Sequence, residues 1–151
     1  MRWCPHATVA AMVELDGRFL LVEETAGGQR VINQPAGHIE PGETLADALV
    51  RETLEETGWV VQPTFLLGLY TYCSKYNGVT YHRTCFVAKA LRQESERPLD
   101  EAIIRALWLS RAELESPPAP LRSPLIMRSI DDYLAGKRYP LDLIYEHPHK
   151  A

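Results

Sequence analysis

Residues 37–59 read GHIEPGETLADALVRETLEETGW, and the fold is decided there. A tight loop containing Gly37 and Gly42 enters a segment, Thr44 to Thr57, whose apolar positions recur at helical spacing. Thr44 is placed to cap the N-terminus, with Asp47 three residues on as its reciprocal partner, and Gly58 fits the left-handed residue beyond a helix end. At 100° per residue, Glu52, Glu55 and Glu56 fall within an arc of about 100°, while Leu49, Val50, Thr53 and Leu54 occupy a different arc suited to packing. A solvated acidic face is the ordinary meaning of such a cluster. Here Glu55 and Glu56 sit at the helix C-terminus, where the dipole disfavours negative charge, and three close carboxylates repel unless a cation lies among them. A local rule broken without visible compensation points to function. Hard oxygen ligands of this kind suit Mg²⁺ or Mn²⁺, and a backbone carbonyl of the loop can add another.

Outward from this segment, the pattern is strand-like on both sides. HATVAAMVEL and RFLLVEE are apolar, β-rich runs joined across Asp16-Gly17, a dipeptide made for a hairpin turn. A second turn falls at Gly27-Gly28, and a short run through Val31 and Ile32 leads into the loop. After the helix, stretches at 60–73 and 79–91 read as strands with a hairpin turn at Asn77-Gly78, followed by a polar loop over 92–101. IIRALWLS returns to strand character, Ser110 caps a short helix, RAELE, and prolines at 117, 118 and 120 break the chain. A last helix is expected with Ser123 as N-cap, Pro124 in its first turn and Gly136 beyond its end. Ile126, Ile130, Tyr133 and Leu134 would dock it on the sheet. Strands, helix, strands, helix describe a mixed β-sheet sandwiched between helices, class α+β. With 151 residues, no internal repeat and no long linker, one domain over 1–151 is expected.

Composition excludes other classes. A 46% hydrophobic, 24% charged chain is neither disordered nor fibrous, and a net charge of −4 disfavours a protein that grips a nucleic-acid polymer by its phosphates. The three cysteines, Cys4, Cys73 and Cys85, form no CxxC and have no close histidine partner, which points away from a disulfide framework or structural zinc and toward a reducing compartment. The apolar stretch at 7–13 is broken by Glu14 and Asp16 before any cleavage site, and no run approaches the ~18 apolar residues of a membrane span. A cytoplasmic location, a small-molecule partner and a monomer or homodimer are expected.

The segment 37–59 resembles the Nudix box, G-x5-E-x7-R-E-U-x-E-E-x-G-U, where U is bulky and apolar. Gly37, Glu43, Arg51, Glu52, Glu55, Glu56 and Gly58 fill the seven fixed positions and Trp59 the last apolar one. At ~7% usage per residue, a chance match is about one in 10⁸ per window. The one departure is Thr53 at an apolar position, which touches packing rather than ligation. ETAGGQRVINQPAGHIE, LRSPL at 121–125 and KRYPLDLI at 137–144 resemble one branch of that family, the NudJ-type phosphatases.

The family resemblance implies an α/β/α sandwich, a required divalent cation, and hydrolysis of phosphoric anhydrides by attack of a water held on that cation. The branch resemblance implies release of phosphate from nucleoside di- and triphosphates or from small pyrimidine diphosphates of the thiamine-precursor type. It also implies that the Gly37 carbonyl, Glu52, Glu55 and Glu56 hold the metal. Catalytic roles fall to Glu52, which orients or deprotonates the water, and to Arg51, which pairs with a neighbouring carboxylate and fixes its direction. Some relatives place the base in a loop outside the box, for which Asp100 and Glu101 are the candidates here. Glu43 braces the loop. Arg83, read as lying on an edge strand, is the candidate to face a phosphate; Arg122 and Arg138 are better suited to structural duty. Trp3, His38, Tyr76 and His82 are candidates to stack a base or touch a phosphate, although aromatics in β-rich segments more often fill the core. The alternatives are a dinucleoside-polyphosphate or nucleotide-sugar/ADP-ribose pyrophosphatase, and a nucleotide sensor without hydrolysis. Cys73 stands where ADP-ribose enzymes carry a Pro, and Tyr76 imitates a dinucleoside-polyphosphate marker.

Overall fold

In a computed structural model, which describes residues 1–148, the strands are β1 (His6–Leu15), β2 (Arg18–Ala26), β3 (Gln29–Asn33), β4 (Ala36–His38), β5 (Trp59–Cys73), β6 (Thr80–Gln93) and β7 (Ile103–Ser110). The helices are α1 (Leu45–Thr57) and α2 (Leu125–Leu134), with 3-10 turns at Glu113–Glu115 and Leu141–Leu143. β1 organises the sheet. It runs parallel to β6 over His6–Val13, antiparallel to β4 over Thr8–Ala10, and turns at its end into β2. β5 lies antiparallel outside β6, while β2 carries β3 and β7 on its two edges.

Alternation along β1 gives the sheet two apolar faces. Val9, Ala11 and Val13 pack with Ala48 and Leu49 of α1, and Ala10 and Met12 with Ile126 and Ile130 of α2. Each helix therefore covers one face, which is the expected α+β sandwich. Both anchors of α2 are fully buried, so truncating either to Ala costs about 2–5 kcal/mol.

Local signals behave as their chemistry dictates. Asp16 and Gly17 take φ of 51° and 79°, making the tight β1–β2 hairpin. The Thr44 hydroxyl accepts from the Asp47 N–H at 3.1 Å, and Gly58, at φ 76°, donates its N–H to the Leu54 carbonyl. The buried Thr53 satisfies its hydroxyl by donating to the Leu49 carbonyl at 2.8 Å, so its departure from an apolar residue leaves the helix intact.

Several boundaries differ from the sequence reading. The β5–β6 connection spans Ser74–Val79 rather than a two-residue turn, because the Ser74 hydroxyl accepts from the Tyr76 N–H and Asn77 Oδ1 from the Val79 N–H, closing a wider loop. The helix expected over RAELE is a single 3-10 turn, Glu113–Glu115, held by reciprocal Ser110–Glu113 bonds. α2 starts one residue later than read: Pro124 provides the first carbonyl, and the Ser123 hydroxyl accepts from the Leu125 N–H at 3.2 Å. Leu134 is exposed, off the docking face. β6 lies between β1 and β5 and is not an edge strand; the edge is β5, which tolerates Pro63 at a register irregularity. Trp3, His38 and His82 are exposed and Tyr76 half-buried, so none of the four belongs to the core. Among the described residues, no helix is long and apolar enough to cross a membrane.

Candidate active site

The short strand β4, on which Gly37 sits rather than in the expected loop, lies directly against α1. A Cβ on Gly37 would overlap the Glu52 carboxylate, so any other residue here would push that carboxylate aside. The Ala36 N–H donates to Glu56 Oε1 at 2.8 Å, tying β4 to the last turn of the helix. Arg51 gathers the rest. It donates to both oxygens of Glu43 at 2.6 and 2.8 Å, to Glu52 at 2.9 Å, to Glu55 at 3.2 Å and to the His38 carbonyl at 3.1 Å. These Arg51 bonds hold the Glu43 carboxyl down to about 2, and Glu43 also accepts from the Glu40 N–H, so it braces the loop.

Helical periodicity places Glu52, Glu55 and Glu56 on one arc, but tertiary packing divides them. Glu52 and Glu55 meet Asp100, with one carboxylate oxygen from each lying within 4.8 Å of the others. Asp100 comes from the β6–β7 loop, which docks on the helix end because its N–H donates to the Glu55 carbonyl at 3.0 Å. Its neighbour Glu101 is exposed and outside this trio. Glu56 turns beneath the loop and is buried, and burial pushes its carboxyl up to about 9, with Glu24, Glu52 and Asp100 adding repulsion. Burial raises Glu52 as well, against the opposing pull of Arg51. A divalent cation fits this donor set: the oxygens are hard, crowded and only partly neutralised by one arginine.

Beside the trio opens a cavity of about 130 Å³, bordered by Gly37, His38, Glu56, Arg83 and Arg122. Arg83 reaches into it from β6 and donates to Gln34 Oε1 at 3.2 Å. Arg122 donates to Glu24 at 2.6 Å, and Glu24 also accepts from Asn33 Nδ2 at 3.1 Å. Sequence reasoning missed Thr8, Glu24, Asn33 and Gln34 as lining or supporting residues. The available signal was the acidic pair Glu23-Glu24 inside the apolar β2 run; both prove buried, Glu23 against Arg30 and Arg105. Arg138 is structural, its guanidinium 4.1 Å from the Tyr133 ring.

Comparison with known proteins agrees with this fold. The family model described as NUDIX domain matches residues 5–130. The chain is 39% identical to phosphatase NudJ of Escherichia coli K12 over 140 residues, 93% of this chain and 90% of that protein. It is similar to the solved structure of a NUDIX hydrolase from Nitrosomonas europaea, with 44% identity, 97% of this chain and 100% of that chain covered, and a TM-score of 0.92. The Nudix domain of Shewanella oneidensis NrtR, solved with ADP ribose, shares the fold at 17% identity and a TM-score of 0.67, over 88% of this chain and 90% of that one.

Proposed function

Because the chain belongs to the Nudix hydrolases, we propose that it opens the phosphoanhydride of nucleoside di- or triphosphates, or of related small pyrimidine diphosphates. The reaction would use Mg²⁺ or Mn²⁺ and release inorganic phosphate by attack at the terminal phosphorus. The observation that carries this reading is the approach of Glu52, Glu55 and Asp100 oxygens to within 4.8 Å of one another beside a cleft lined by Glu56 and two arginines. We assign Glu52, Glu55, Glu56 and the Gly37 carbonyl to hold the cation. When bound, such an ion neutralises phosphate charge and acidifies water.

The chain's own groups do the rest. Glu52 takes the proton of the attacking water; Asp100 is the alternative acceptor, favoured over Glu101 by its place in the trio. Arg51 is a positioning residue, aiming Glu52 through the 2.9 Å bond while bracing the loop through Glu43. Arg83 contacts the substrate from inside the cleft. The preference for phosphate release rests on the likeness to phosphatase NudJ.

The test is a panel of nucleoside diphosphates, triphosphates, dinucleoside polyphosphates, ADP-ribose and a pyrimidine diphosphate, assayed with Mg²⁺ in ¹⁸O-labelled water. Phosphate, pyrophosphate and mononucleotide are scored separately. Label in released phosphate from nucleoside or pyrimidine diphosphates is expected. Turnover confined to ADP-ribose or dinucleoside polyphosphates would refute the substrate class, full turnover in excess chelator would refute the cofactor, and nucleotide binding without hydrolysis would make the protein a sensor.

A further inference from the structure

Two buried polar atoms of residues that line the cleft have no hydrogen-bond partner among the described residues: Thr8 Oγ1 and Arg83 Nε. They come from neighbouring positions, since Thr8 of β1 and Arg83 of β6 are register partners on parallel strands, and both residues line the cavity that reaches Gly37 and Glu56. Buried donors without acceptors are destabilising, so two of them built side by side call for an acceptor that arrives with a ligand. The bond from Arg83 Nη1 to Gln34 fixes the guanidinium plane while Nε–H stays uncommitted.

The surroundings decide what kind of acceptor fits. Glu24 and Glu56 both face this space, and Arg122 is already paired with Glu24 at 2.6 Å. A phosphate dianion placed here would face the Glu24 carboxylate, with Arg122 already committed to that carboxylate and Arg83 as its one uncommitted cation. A neutral acceptor on a planar ring avoids that repulsion, and Tyr72 and Tyr81 line the same cavity with aromatic surface.

We propose that Thr8 and Arg83 form a ring-edge subsite. The Thr8 hydroxyl and the Arg83 Nε–H donate to a carbonyl oxygen or ring nitrogen of the substrate's heterocycle, so that Arg83 selects the organic end of the substrate rather than its phosphates. This inference rests on the phosphoanhydride reading, and its test separates the two.

Binding of UDP, GDP and inorganic tripolyphosphate is measured by titration calorimetry in EDTA, where turnover is suppressed, for the wild type, Thr8→Val and Arg83→Lys. In parallel, kcat and KM are measured with Mg²⁺. Thr8→Val should weaken the better-bound nucleotide about tenfold, one hydrogen bond's worth, while the tripolyphosphate affinity moves less than twofold. Its melting temperature in EDTA should equal or exceed wild type, because an unpaired buried hydroxyl is removed. Arg83→Lys keeps the charge but lacks the Nε–H, so it should weaken nucleotide binding, and the loss should appear in KM. Equal losses on nucleotide and tripolyphosphate, wild-type nucleotide affinity in Arg83→Lys, or no loss in either variant would overturn the subsite. So would a wild type that binds tripolyphosphate as tightly as both nucleotides. Thr8-dependent nucleotide binding without hydrolysis under Mg²⁺ would keep the subsite and reject the hydrolytic reading instead.

Discussion

Glu56→Gln tests the buried carboxylate directly. The amide keeps an oxygen to accept the Ala36 N–H, which bonds Glu56 Oε1 at 2.8 Å, and removes the ionisation. In the metal-free protein, burial first and the acidic neighbours second raise Glu56 from 4.5 to about 9. A raised folded-state pKa contributes stability that is fully present below about pH 4.5 and is lost as pH climbs toward 9. At pH 8 the unfolded chain has ionised this group across three and a half pH units, a ceiling of about 5 kcal/mol at ~1.4 kcal/mol per unit. Relaxation of the loop and entry of water reduce this to roughly 1–3 kcal/mol. For a chain of this size that is about 2–12 °C in Tm. In EDTA, calorimetry should therefore show Glu56→Gln melting with wild type near pH 5 and above it by this margin at pH 8. Adding Mn²⁺ should reverse the order, because only the wild type binds the ion strongly and gains stability by mass action. A variant that melts at or below wild type at pH 8 in EDTA, or a difference independent of pH, would refute the reasoning.

Activity with Mg²⁺ should rise from pH 7 to 9, since Glu56, raised by burial to about 9, must lose its proton before it holds a cation; a profile flat or falling there, with the protein folded, contradicts this. Gly37→Ala should lower kcat by about a hundredfold or more with a circular dichroism spectrum like wild type, because its Cβ displaces the Glu52 carboxylate; near-normal turnover would mean that Glu52 is not the proton acceptor. Arg51→Lys gives up the paired bonds to Glu43 and should cost about 2 kcal/mol, roughly 4–8 °C in Tm, with kcat falling as Glu52 loses its support. A Tm within a degree of wild type would show that the loop is held by other contacts.

Signals carried by neighbouring residues were open to the sequence alone. The cap at Thr44, the left-handed Gly58 and the Asp16-Gly17 hairpin depend on a few consecutive residues, and the structure returns them, with Asp47 bonding Thr44 through its N–H and not reciprocally through its side chain. The apolar run of β1 was legible as a strand, and the structure shows its two faces each covered by a helix. The box glutamates were legible because helical geometry converts spacing into direction. Where those directions lead is a property of what packs against the helix. Glu56 is driven under the loop and burial raises its carboxyl, whereas Glu52 and Glu55 meet Asp100, an aspartate far along the chain that a loop docking on the helix end brings to them. The position of β6 was likewise beyond sequence: β1 pairs with it in parallel across more than sixty intervening residues, which turns an expected edge arginine into one facing an enclosed cleft. Thr8, unremarkable in sequence, and Arg83, a candidate distant from it along the chain, become one site through that register, because burial and strand pairing act between residues whose separation along the chain carries no trace of it.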